Sequence, residues 1–60
     1  MKFIENKVGK YKYCSYNIPF ATKIGIEKFC DENDIPYLAR GGLFHVKNKT
    51  TVTLLMLRFS

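Results

Sequence analysis

Residues 50–60 read TTVTLLMLRFS, and how this stretch folds decides the architecture. Read as an extended strand, it sets Val52, Leu54 and Met56 on one face and Leu55, Leu57 and Phe59 on the other, because successive side chains alternate. A strand that is apolar on both faces is buried on both. With Arg58 as its only charge, this one is expected to run centrally in a sheet.

The segments before it divide at their turn residues. LFHVKN (43–48) and IPYLAR (35–40) read as strands, joined through Gly41-Gly42, a pair suited to a two-residue hairpin. Asn48-Lys49 reads as a second turn, leading into a final strand over 50–59. Before these lies a helix candidate, KIGIEKFCDEN (23–33), whose apolar stripe is Ile26, Phe29 and Cys30 at i, i+3, i+4. Thr22 is its expected N-cap, Ala21 and Ile26 its hydrophobic staple, and Asn33 its left-handed closing residue.

At the start, KFIE (2–5) and KYKYCSYN (10–17) pair across a turn at Asn6-Lys7-Val8-Gly9. Tyr11, Tyr13 and Ser15 then share one face, and Lys12, Cys14 and Tyr16 the other. The expected fold is α+β: a single small domain spanning 1–60, ordered β-β-α-β-β-β, with one helix packed on an antiparallel sheet.

Sixty residues make a marginal domain. Below about 70–80 residues one core rarely supplies more than roughly 3–5 kcal/mol, so a staple is usual: disulfides, a metal, or a second protein surface. Cys14 and Cys30 are the only cysteines, and MKFIENKVGK turns polar after Phe3-Ile4, unlike the apolar core of a secretory leader. No apolar run approaches the roughly 18 residues of a membrane span. The expectation is a cytoplasmic protein with two reduced thiols and no membrane association.

The net charge of +5 is unevenly distributed. Residues 24–34 carry Glu27, Asp31, Glu32 and Asp34 against Lys28, whereas no acid follows Ile35. A basic body with an acidic knob at Asp31, Glu32 and Asp34 attracts nucleic acid or an acidic protein surface. Asp31 and Glu32 oppose the dipole at the helix end, and Lys47 or Lys49 is the expected compensation.

Catalytic and metal chemistry find no foothold in the spacing. His45 is the only histidine, and Cys14, Cys30 and His45 lack the close ligand pairs of zinc sites. Cys30 and His45 form a nucleophile pair only if the fold brings them together. Glu27 and Asp31 share a helix face pointing away from the apolar stripe, and Gly41-Gly42 joins two strands rather than opening a helix. The expectation is a non-enzyme without cofactor or metal.

The segment IEKFCDENDIPYLARGGLFHVKNKTTVTLLM resembles the helix and three-stranded meander of HicA-type toxins, which are similar to double-stranded-RNA-binding domains. In that family a Gly-Ser-His near the start of the second strand supplies the histidine that cleaves RNA. Aligned on Gly42, Leu43 and Phe44 stand where that Ser and His do, and His45 falls one place late. The family's second helix has no counterpart in this reading. The resemblance covers half the chain and implies RNA binding without RNase activity.

Two binding modes follow. In the first, one helix covers one sheet face and the final strand needs cover on its other face. Burying Leu55, Leu57 and Phe59 contributes roughly 1.5–3 kcal/mol each. With Tyr11 and Tyr13 they form the expected protein interface, covered by a second copy or by another protein in an obligate complex. The chain's own N-terminal hairpin is the rival cover. Phe, Ile, Lys, Asn and Tyr dominate the composition, as AT-rich codons dictate. Together with the small size, this suggests a phage or mobile-element accessory protein that inhibits or modulates a host or defence protein in the host cytoplasm. In the second mode, Lys10, Lys12, Tyr16 and Tyr37, with Arg40, Lys47 and Lys49, bind RNA or DNA by stacking bases and neutralising phosphates.

Overall fold

Residues 49–59 are helical, and this resolves the oddity of the terminal stretch. The computed structural model describes residues 1–59. Its elements are β1 (Lys2–Val8), β2 (Tyr11–Tyr16), α1 (Phe20–Glu32), β3 (Tyr37–Arg40), β4 (Leu43–Val46) and α2 (Lys49–Phe59). The fold is α+β with an antiparallel sheet, as expected. The sheet has four strands rather than five, and the expected last strand is a second helix.

The expected turn at Asn48-Lys49 is the start of α2. Asn48 Oδ1 accepts hydrogen bonds from the Thr51 backbone N–H (2.9 Å) and the Thr51 hydroxyl (3.0 Å), which caps the helix. Thr53 Oγ1 donates to the Lys49 carbonyl at 3.1 Å, so that hydroxyl is satisfied within the helix. Val52 and Leu55 are buried and Phe59 is half-buried, the i, i+3, i+7 spacing of one helical face. Leu54, Met56 and Leu57 point elsewhere and remain exposed. Four consecutive apolar residues on a helix cannot all turn inward.

α1 begins three residues earlier than the pattern predicts, with Pro19 rather than Thr22 at its N-cap and no side-chain cap. Proline pre-sets the backbone for helix entry. The stripe is as read: Ile26 and Cys30 are buried and Phe29 is half-buried. The left-handed closing residue is Asp34 (φ 54), not Asn33 (φ −109). Ile35 N–H bonds the Cys30 carbonyl at 2.8 Å and Asp34 N–H that of Asp31 at 3.5 Å, the paired bonds of a Schellman ending.

The sheet runs β1-β2-β4-β3 with all neighbours antiparallel. β1 is longer than expected and the tight turn falls at Gly9-Lys10, with Gly9 at φ 58; the predicted turn residues Asn6 and Lys7 instead form a bulge between Glu5 and Val8. Gly41 and Gly42, both at positive φ (50 and 80), join β3 to β4 as the pair predicts.

Residues directly opposite in an antiparallel sheet share a face. One row is Phe3, Ser15, Phe44 and Ala39, and the next holds Tyr13, Val46 and Tyr37. These rows meet Ile26 and Cys30 of α1 and Val52 and Leu55 of α2 in a single core. Both helices therefore cover the same side. They meet where Phe59 sets its ring edge-on to Phe29, centroids 5.9 Å apart, beside Gly25. The N-terminal hairpin does not fold over the sheet; it is half of it. Among the described residues no helix is long and apolar enough to cross a membrane.

Candidate nucleic-acid interface

The side of the sheet away from the helices is uncovered. Its central row is Ile4, Cys14, His45 and Leu38, one residue from each strand. Lys2 opposite Tyr16 and Arg40 opposite Leu43 flank it, and alternation along β2 adds Lys12. The grouping of Lys12, Cys14 and Tyr16 is the one read from β2 alone. Every charged residue on this face is a cation, and Tyr16 is 55% exposed among them.

The centre of the face is nearly sealed. Cys14 and His45 stand directly opposite each other, 4% and 5% exposed. His45 Nδ1 is buried and finds no protein hydrogen-bond partner. Burial raises the Cys14 thiol's pKa above its ordinary value, so no thiolate is favoured there. Cys30 lies in the core on the other side of the sheet, where burial and then the Asp31 charge push it up to about 11. The sheet separates Cys30 from His45, so the fold does not bring that nucleophile pair together. It separates the two thiols as well. No three His, Cys, Asp or Glu side chains converge among the described residues.

The other sequence candidates divide between layers. Tyr37, expected among the cations, faces the helices, where its ring stacks on Phe44 at 4.9 Å. Burial first, and then the nearby Asp31 carboxylate, raise its phenol above the ordinary value. Tyr13 packs against the core, and half-buried Tyr11 donates its hydroxyl to the Tyr37 carbonyl at 3.3 Å. Both rings are half-buried against their own chain. Leu55 and Phe59 share the inward face of α2, in the core and against α1, whereas Leu57 points away from it and is 80% exposed. Lys49 is the first residue of α2 rather than part of a strand.

Lys10 lies in the β1–β2 turn, and its ammonium stands 5.6 Å from the Tyr11 ring centre. Lys10, Lys12 and Lys47 line a common cavity at that end of the sheet. Glu5 pairs with Lys12 at 3.5 Å, the one ion pair among the described residues. Asp31 and Glu32 are not paired with Lys47 or Lys49 as anticipated.

The pattern absent from the sequence reading is the alignment of β2 with β1, β4 and β3. It adds Lys2, Ile4, Leu38, Leu43 and His45 to the face through long-range register. Comparison with protein-family models, with curated proteins and with solved structures finds no match to this chain.

Proposed function

We propose that the chain is a small, non-catalytic binding module whose open sheet face takes a single-stranded nucleic acid. The observation that carries this reading is the open face itself: Lys2, Arg40 and Lys12, of which Lys12 alone has an acidic partner (Glu5), around the exposed ring of Tyr16. Cations on such a surface track a phosphate backbone while an aromatic ring stacks a base. α1 offers no basic face for a duplex groove, since it mixes Lys23 and Lys28 with Glu27, Asp31 and Glu32, and α2 carries only two cations, Lys49 and Arg58, at its opposite ends. A single strand, with its bases free to lie on the sheet, is the ligand that suits this surface.

Fluorescence anisotropy with labelled twelve-nucleotide RNA and DNA probes over a salt series tests the reading. Binding that weakens steeply with salt supports it. No binding, or binding indifferent to salt, overturns it.

One observation favours a second reading. Phe20 and Ile24 on α1, and Leu54, Met56 and Leu57 on α2, leave large apolar side chains in solvent, Phe20 at 76%. Exposed apolar surface of this kind serves protein contacts. The homodimer, or a complex with a host or defence protein, belongs to this reading. Sedimentation across a concentration range tests the dimer, and a monomer throughout removes it.

A further inference from the structure

The basic face runs into a cavity at the hairpin end of the sheet. The cavity measures about 560 Å³ and is lined by Lys7, Lys10, Lys12 and Lys47, with Glu5 and Asn6 between them. Two separate pieces of chain supply the lysines, the β1–β2 hairpin and the residue after β4. Lys7 comes from the bulge of β1, Lys10 from the Gly9-Lys10 turn, Lys12 from β2, and Lys47 follows the last residue of β4.

From this convergence we infer that the cavity is an anion site for a phosphoryl group, an inference that rests on and deepens the nucleic-acid reading. Four lysines and one carboxylate line the cavity, a local excess of positive charge that attracts an anion. Glu5 relieves part of this and holds the Lys12 ammonium at 3.5 Å. The remaining positive charge calls for an anion with several acceptor oxygens. Lysines act as mobile point charges, which fits the tetrahedral, multiply charged phosphoryl group better than a planar carboxylate matched to a guanidinium fork.

Size and position narrow the ligand. The volume falls within the roughly 300–1,000 Å³ of small-ligand sites, enough for a nucleotide-sized group. Lys12 belongs both to the open face and to the cavity. A strand lying across the sheet past Tyr16 and Lys12 can therefore end in the cavity or pass a phosphate through it. Two sources of the same chemistry fit: the phosphates of the bound strand, or a free polyphosphate.

The test follows backbone amide NMR shifts of the full chain in two titrations, one with inorganic triphosphate and one with a twelve-nucleotide single strand. Triphosphate should shift the amides of Lys7, Gly9, Lys10, Lys12 and Lys47. Lys7→Gln combined with Lys10→Gln should weaken triphosphate binding by at least about tenfold, and Glu5→Gln should strengthen it several-fold by removing the opposing charge. Preserved amide spectra confirm that each variant folds.

Triphosphate shifts spread equally over Lys23, Lys28 and Lys49, or a Glu5→Gln variant that binds no tighter, overturn the site. If the strand shifts Tyr16 and Cys14 without Lys7 or Lys10, the nucleic-acid reading stands and the cavity falls. If triphosphate binds in the cavity and no strand binds, the cavity stands as a polyphosphate site and the nucleic-acid reading falls.

Discussion

Gly25 lies against Phe59: a β-carbon at Gly25 would stand 3.1 Å from Phe59 Cε1. The absence of a side chain lets the end of α2 settle on α1, and explains a glycine in the middle of a helix. In an open helix, Gly→Ala gains about 1 kcal/mol. Here Gly25→Ala should gain nothing, because the ring must give way. Pairing it with Phe59→Leu should restore the gain, and a double-mutant cycle in urea should show a coupling of about 1 kcal/mol. Strictly additive effects would contradict the contact.

Asn48 holds the first turn of α2 by accepting from both the amide and the hydroxyl of Thr51. Asn48→Ala should cost about 1 kcal/mol and Asn48→Asp nearly nothing. Urea midpoints and far-ultraviolet circular dichroism measure both. A neutral Asn48→Ala would mean that the stretch is not a capped helix.

Asp34 occupies a left-handed backbone position, φ 54, that glycine adopts without steric cost. Asp34→Gly should therefore stabilise the chain by about 0.5–1 kcal/mol, and Asp34→Val should destabilise it. Thermal melts of the pair give the sign directly.

The buried Cys30 thiol sets an alkaline limit on stability. Its folded value of about 11 lies above the ordinary 9.0, so above pH 9 the unfolded chain loses this proton while the folded chain keeps it. Stability present below pH 9 should decline as pH rises toward 11, by up to about 2–3 kcal/mol. The raised Tyr37 phenol acts in the same direction above pH 10. Cys30→Val should flatten the pH 9–11 part of the profile in urea denaturation.

Lys2, Lys12 and Arg40 on the open face, with Lys47 at the cavity, set the salt dependence. Four phosphate contacts give a slope of about −3 in log affinity against log salt for a single strand. Tyr16→Ala should cost about 1–3 kcal/mol of binding by removing a stacking surface. Because Tyr16 is 55% exposed, the thermal midpoint should move little.

The locally specified parts of the fold were legible. Gly41-Gly42 announces its hairpin because few other pairs accept positive φ twice, and Ile26, Phe29 and Cys30 announce their helix through a clean period. Residues 54–57 were misleading because an unbroken apolar run fits strand and helix alike. Asn48 followed by Thr51, and the spacing of Val52, Leu55 and Phe59, held the helical signal. The open face was half legible. Alternation along β2 grouped Lys12, Cys14 and Tyr16, but only pairing with β4 sets His45 opposite Cys14, and only pairing with β3 turns Tyr37 inward.

The bulge in β1 also bears on how molecules of this chain meet one another. β1 and β3 are the sheet's outer strands, each with a row of backbone groups that another strand could pair with. The extra residue at Asn6-Lys7 breaks the flat run of β1, with charge at Lys2, Glu5 and Lys7 along it. β3 is only four residues long and follows Pro36. Neither border offers a long, regular template, so the irregularity that presents Lys7 to the cavity also guards the sheet against edge-to-edge polymerisation.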